Sequence, residues 1–319
     1  MVYKVATKTT DANQMDYQRD EHWVHLIVYH LIRCPKKIMF ETLSPITFAG
    51  LSVRECGPAS APTICFLHGG GISGWMWRPQ VEALQDSYHC LIPDLPEHGL
   101  SAATRPFTIA DSARRVAELI REQAHRGCAH MIGLSEGAQI TVQLLGSAPL
   151  VVDHAIISSA LMHPLPGLGL LGPRALALIF RLFAAPFLRS DAYVRLNMRY
   201  GNALPEQYFN EAREDTRRMT AESFTHMILE NQRFRIPVGL DQVQVPALIV
   251  AGQHEQAMMR QSARDLAAAL PAGQGYLVSF SKRAAEEHSW NLQRPELFNA
   301  VTRAWLTDQL LPAELIPLK

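Results

Sequence analysis

The run Gly133-Leu134-Ser135-Glu136-Gly137 sets a hydroxyl between two glycines at the exit of an apolar stretch, Cys128 to Ile132. Glycines two positions either side of a serine suit a turn too tight for bulky neighbours, because glycine lacks the Cβ that would collide there. A serine presented on such a turn can attack a carbonyl carbon and form a covalent acyl intermediate. That chemistry makes three further demands. The hydroxyl needs a base within hydrogen-bond reach, the base needs a carboxylate to orient it, and the developing oxyanion needs N–H donors. A donor loop is available in His68-Gly69-Gly70-Gly71, directly after the apolar run ending at Leu67. Of the 13 histidines, His288 stands out by position, in Glu286-Glu287-His288-Ser289-Trp290 between the last apolar run and a C-terminal helical pattern.

These residues need elements to hold them, and the chain supplies an alternating series. Ile46–Val53, Thr63–Leu67, Tyr88–Pro93, Cys128–Leu134, Val151–Ser158, Val245–Ala251 and Gly275–Phe280 read as strands. Arg78–Gln85, Ile109–His125, Glu136–Gly146, Gln256–Leu270 and Pro295–Leu310 read as helices. Short, continuously apolar strands alternating with amphipathic helices predict an α/β protein with a mostly parallel, doubly wound sheet covered on both faces. Residues 163–243 break that rhythm with long helical patterns and almost no strand-like run. The expected organisation is an N-terminal extension (1–40), a core built from 41–162 and 244–319, and a helical insertion at 163–243.

A further pattern, Asp94-Leu95-Pro96-Glu97-His98-Gly99-Leu100-Ser101, follows the Tyr88–Pro93 run, and Gly252-Gln253-His254-Glu255 follows Val245–Ala251. With the glycine run, the pentapeptide and the His288 loop, these make five landmarks in one order. Residues from about 45 to 310 therefore resemble an α/β-hydrolase of the lid-bearing, single-domain esterase type. The resemblance implies that 163–243 is a lid, whose apolar first half, Leu165–Leu188, would face Ser135. It implies Ser135 as nucleophile, His288 as base and Glu255 as orienting acid, in the chain order Ser, acid, His. Most relatives carry Asp where Glu255 stands, so this loop must sit slightly further from the imidazole. The alternative acid position, Ser158-Ser159-Ala160, offers no carboxylate. The implied oxyanion donors are the N–H groups of Gly70 and Glu136. The Asp94–Ser101 loop is implied to be structural, so Asp94 and His98 are not assigned to catalysis. Glu97 replaces its usual glycine. Neither a metal nor an organic cofactor is implied.

Composition narrows the partners. Thirty basic residues balance thirty acidic ones, which leaves no electrostatic footprint for nucleic acid or an anionic membrane. His22–Ile32 is too short to span a bilayer, and Arg174, Arg181 and prolines interrupt Leu165–Leu188, so no stable membrane insertion is expected. Lys4, Lys8, Asp11, Asp16 and Arg19 break any signal-peptide pattern, and five cysteines without CxxC spacing read as free thiols; a cytoplasmic location is expected. His22, His25 and His30 read as surface residues rather than metal ligands, Glu211–Arg218 as a solvated helix face, and Met258 and Met259 as core filling. Trp75, Trp77 and Trp290 flank the presumed mouth and are candidates to line the pocket. The expected function is hydrolysis of small carboxylic esters with an apolar acyl or alcohol part. The same residues also suit a carbon–carbon bond hydrolase or an acyltransferase, and a ligand-binding relative without catalysis is the third reading.

Overall fold

A computed structural model of the protein describes residues 39–164 and 171–318. Nearly all of the expected extension at 1–40, with His22, His25 and His30, and the first residues of Leu165–Leu188 lie outside them.

The described residues form nine strands in one sheet: β1 (Ile46–Phe48), β2 (Leu51–Cys56), β3 (Thr63–Leu67), β4 (His89–Asp94), β5 (Ala129–Leu134), β6 (Val152–Ser158), β7 (Ala247–Gly252), β8 (Gly273–Val278) and β9 (Leu315–Pro317). Their order is β1-β2-β4-β3-β5-β6-β7-β8-β9. The run from β4 through β3 to β8 is parallel, while β1, β2 and β9 pair antiparallel at the edges. This is the α/β-hydrolase fold, with helices on both faces.

The continuous apolar strands follow from that double cover. β3, β5 and β7 are buried at every position, so polar alternation has no place in them. Ile64 and Phe66 pack into the core on one face of the sheet, and Cys65 and Leu67 into the core on the other. Burying a side chain such as Phe66 or Ile64 contributes roughly 1.5–3 kcal/mol. One face is covered by α1 (Arg78–Leu84), the other by α2 (Ile109–Gln123) and α3 (Glu136–Ser147). Thr108 starts α2 by accepting the Asp111 N–H at 3.0 Å, and Val116, Leu119 and Ile120 turn inward. Between β6 and β7 lie α4 (Pro173–Phe183), α5 (Asp191–Leu196), α6 (Phe209–Arg218) and α7 (Ala221–Arg233). The last part of the chain adds α8 (Ala257–Ala269), α9 (Ala284–His288), α10 (Trp290–Gln293) and α11 (Pro295–Leu306). No helix among the described residues is long and apolar enough to cross a membrane.

Two local expectations are corrected, and one strand is added. Ile46–Val53 is not one strand but a hairpin, because Ala49 and Gly50 take φ of 48° and 77° and reverse the chain between β1 and β2. His288 closes the short helix α9 rather than lying in a loop. The edge strand β9 has three residues, too few to show a period in the sequence.

The pentapeptide joins β5 to α3, with Ser135 between them at φ 57° and ψ −114°. Both glycines are required by close approach. A Cβ on Gly133 would lie 2.4 Å from the Gly137 carbonyl oxygen, and one on Gly137 would lie 2.2 Å from that of Leu67 at the end of β3. The Gly137 neighbours are backbone and cannot swing away. Gly137→Ala is therefore expected to lower the urea midpoint by the equivalent of about 1–3 kcal/mol or more. Gly172→Ala, where no atom lies within 4 Å of the added carbon, should stay within about 0.5 kcal/mol of the parent.

Candidate active site

A positive φ at a non-glycine residue costs on the order of 1–3 kcal/mol and persists only where neighbours over-determine it. At Ser135 they do. Its N–H donates to the Ser158 carbonyl at 2.8 Å, and its own carbonyl accepts from the Ala138 and Gln139 amides, each at 3.1 Å. The turn sets Ser135 in the wall of a cavity of about 440 Å³, together with Gly70, Glu255 and His288.

Glu255 and His288 arrive from the ends of β7 and α9 and meet at 2.5 Å, between Oε1 and Nδ1. The other carboxylate oxygen, Oε2, accepts the Gly252 N–H at 2.7 Å and the Ser159 hydroxyl at 3.1 Å. Glu255 is 4% exposed, so these bonds replace the water it gives up. With Nδ1–H donated to Glu255, the imidazole presents Nε2 as its proton acceptor. Burial disfavours the charged ring, but the hydrogen bond and charge of Glu255 outweigh it and hold the His288 pKa above 6.5.

A second carboxylate clamps the two loops. Glu287, fully buried, accepts the His254 N–H at 2.6 Å from the acid turn and the Phe280 N–H at 3.2 Å from the end of β8. Its Oε1 also lies 3.1 Å from His254 Nδ1. Glu287 thus ties the turn that carries Glu255 to the segment that carries His288.

On the far side of Ser135 the glycine loop is held by His68. This ring donates from Nδ1 to the Gly69 carbonyl and accepts the Leu95 N–H at Nε2, both at 2.9 Å. Burial depresses its pKa to about 4, so it stays neutral, as that bonding requires. The loop delivers Gly70 to the cavity. Glu136 opens α3, where amides have no partner within the helix and the helix dipole is positive. The Glu136 side chain is fully buried. Burial pushes its pKa up to about 8, against a 3.0 Å bond from Asn231 Nδ2 to Oε2. Its Oε1 sits 3.5 Å from His98 Nε2, and His98 is held down to about 4 by burial and then by the nearby His68. At pH 7 that contact joins a protonated carboxyl to a neutral imidazole, not two ions.

The three tryptophans do not line this cavity. Trp77 and Trp290 are fully buried in the core, Trp77 tilted against Phe66 and Phe298 and Trp290 tilted against Phe298, and Trp290 Nε1 donates to Ser158 Oγ at 2.9 Å. Trp75 is 5% exposed and donates to Asp215 at 2.7 Å. Their rings belong instead to the apolar core on one face of the sheet. Of the described residues in 171–188, none reaches the cavity; the segment between β6 and β7 contributes Gly201, Asn202, Met227, Ile228, Asn231 and Gln232. Met259 lines it as well and is not core filling. The Glu211–Arg218 face is not wholly solvated, because Asp215 is buried and accepts from Ser73 and Trp75. Asp94 is structural, accepting the Gly74 and Leu100 amides, each at 2.9 Å. Sequence reasoning missed Ser159 and Glu287 as positioning groups. Ser159 occupied the position searched for a carboxylate, and Glu287 stood beside the histidine of interest.

Residues 66–301 match the model of the alpha/beta hydrolase family. The chain is 28% identical over 263 residues to an AB hydrolase superfamily protein of Gibberella zeae, covering 80% of this chain and 84% of that protein. It is 26% identical over 265 residues to the carboxylesterase YbfK of Bacillus subtilis, covering 79% and 82% respectively. The enol-lactonase of Burkholderia xenovorans superimposes with a TM-score of 0.62 at 21% identity, covering 82% of this chain and 99% of that one.

Two titrations follow from the site. His288, followed by NMR, is expected to titrate above 6.5, and Glu255→Gln to bring it down, since the partner favouring the charged ring is gone; an unmoved value would refute the pairing. In the folded chain Glu136 keeps its proton up to about 8, whereas unfolded it loses it near 4.5. The folded state binds the extra proton, so stability falls as pH rises between these values. Chemical denaturation across pH 5–8 should show a shallower decline in Glu136→Gln than in the parent.

Proposed function

Since the chain belongs to the alpha/beta hydrolase family and is an enzyme of the hydrolase type, we propose that it is a serine hydrolase of small carboxylic esters working through an acyl-serine intermediate. The observation that carries this reading is the 2.5 Å Glu255–His288 pair in the cavity that Ser135 lines. His288 Nε2 takes the Ser135 proton as Oγ attacks the carbonyl carbon. The oxyanion is met by the N–H groups of Gly70 and Glu136. His288 then gives its proton to the departing alcohol, and water activated by the same ring releases the acid. Protonated Glu136 suits this arrangement, because a carboxylate beside the donors would oppose the developing negative charge.

The insertion at 163–243 is read as a lid whose α7 forms a wall of the cavity. Leu161, Met227, Ile228 and Met259 make much of the lining apolar, with Asn202 and Asn231 as polar points. A cavity of about 440 Å³ suits a small ester with an apolar acyl or alcohol group. The carboxylesterase among the relatives is in keeping with that class.

A fluorophosphonate probe is expected to label the parent at Ser135 and to leave Ser135→Ala unlabelled. Against chromogenic esters Ser135→Ala should lose several orders of magnitude in kcat, and Glu255→Gln about 10³- to 10⁴-fold. Full turnover in Ser135→Ala would sink the acyl-serine reading. Equal turnover of charged and apolar esters would sink the substrate class alone.

A further inference from the structure

A second cluster of chemistry-bearing side chains lies at the opposite end of β5 from Ser135. His130 is the second residue of that strand, about 16 Å away at ~3.3 Å per residue. The β5–β6 register is irregular there. Ala129 pairs with Val152 and Met131 with Ala155, so His130 alone faces two residues, Asp153 and His154. Such a bulge re-aims side chains that regular pairing would send to opposite faces. Here it gathers three donors: one ligand atom from each of His130, Asp153 and His154 lies within 4.8 Å of the others.

The cluster has an unmet polar demand. His130 is 6% exposed, and its Nδ1 is buried without a hydrogen-bond partner among the described residues. An unpartnered buried nitrogen destabilises the fold unless something occupies it. The surroundings are already arranged. Asp153 Oδ1 accepts from His154 Nδ1 at 2.8 Å, the two imidazoles sit 5.3 Å apart edge to face, and the Trp305 ring lies against His154. An Asp308 carboxylate oxygen stands 3.7 Å from His154 Nε2.

We propose that His130, Asp153 and His154 bind a divalent transition-metal ion of the zinc class. Two imidazoles and one carboxylate are borderline donors that suit Zn²⁺, whereas Ca²⁺ and Mg²⁺ call for sets of oxygens. The ion would join β5 to β6. Its position places it outside the hydrolytic chemistry. Its effect is on stability, since an ion held by the folded chain and not by the unfolded one favours the fold by mass action.

Zn²⁺ titration of the tag-free full chain against a colorimetric chelator tests this, with Co²⁺ absorption as a second readout. The parent is expected to bind one equivalent at this site, and a His22→Gln/His25→Gln/His30→Gln variant to retain it. His130→Ala should weaken binding at least about 100-fold and Asp153→Ser at least about tenfold. Asp153 is exposed, so the second variant keeps the test open if His130→Ala fails to fold. Zn²⁺ should raise the Tm of the parent and leave that of Asp153→Ser nearly unmoved. No uptake by the parent would overturn the proposal, as would equal Zn²⁺ affinity or an equal Tm shift in parent and Asp153→Ser.

Discussion

The contact on which the site depends is backbone against backbone: Gly137, the second residue of α3, lies against the Leu67 and His68 carbonyls at the end of β3. That approach fixes where α3 begins, and with it the backward bend at Ser135. The same stretch of β3 leads straight into the glycine loop. The two segments that flank the hydroxyl are thus positioned by a single packing event in the middle of the sheet. Hydrogen bonds then build on it, the His68 ring accepting the Leu95 N–H just beyond β4 and the Ser135 N–H donating to the Ser158 carbonyl at the end of β6. Two strand ends and one helix start converge because no side chain stands between them.

Around this centre the protein buries several carboxyl groups, and it stabilises them in different ways. Glu255, Glu287 and Asp94 each accept two or more donors, many of them backbone amides, which replace lost hydration. Glu136 and Asp215 have fewer or weaker donors for their burial, and their pKa values rise to about 8 and about 7. The difference follows from location. Glu255, Glu287 and Asp94 sit where strands end and free amides point outward, whereas Glu136 and Asp215 face aromatic, amide and hydroxyl side chains. A carboxyl that can keep its proton is tolerable beside Ser135, where a fixed negative charge would not be.

Strands, helices and the serine turn were legible because their signals are local. Apolar runs covered on both faces, and glycines forced by close approach, leave marks within a few residues. The same holds for the positions of Glu255 and His288, each a short step beyond a readable strand. What escaped depends on contacts far apart in sequence. Ser159 meets Glu255 across 96 residues and Trp75 meets Asp215 across 140. A tryptophan near a mouth and a tryptophan packed beneath it look alike until the sheet is assembled. The expectation for the apolar stretch fails in its described part, 171–188, for the same reason: composition indicates that such a stretch must be covered or used, but not which helix between β6 and β7 reaches the cavity.

Glu97 joins these two levels. It stands where the resembling loops carry glycine, and it keeps the glycine-like conformation, with φ 63°. A non-glycine residue in that region costs on the order of 1–2 kcal/mol, so the side chain must return something. Its buried Oε2 meets His226 Nδ1 of α7 at 2.8 Å. One turn further on, Glu230 accepts the Ile109 N–H at the start of α2, and Asn231 donates to Glu136. Three polar links in six residues thus fasten α7 to the core along the edge that faces Ser135. The helix that supplies Met227 and Ile228 is therefore held by side-chain bonding as well as by apolar packing. Glycine at position 97 would relieve the backbone and remove the first of those links. The departure from the loop's usual residue is best understood as strain accepted in exchange for the placement of α7.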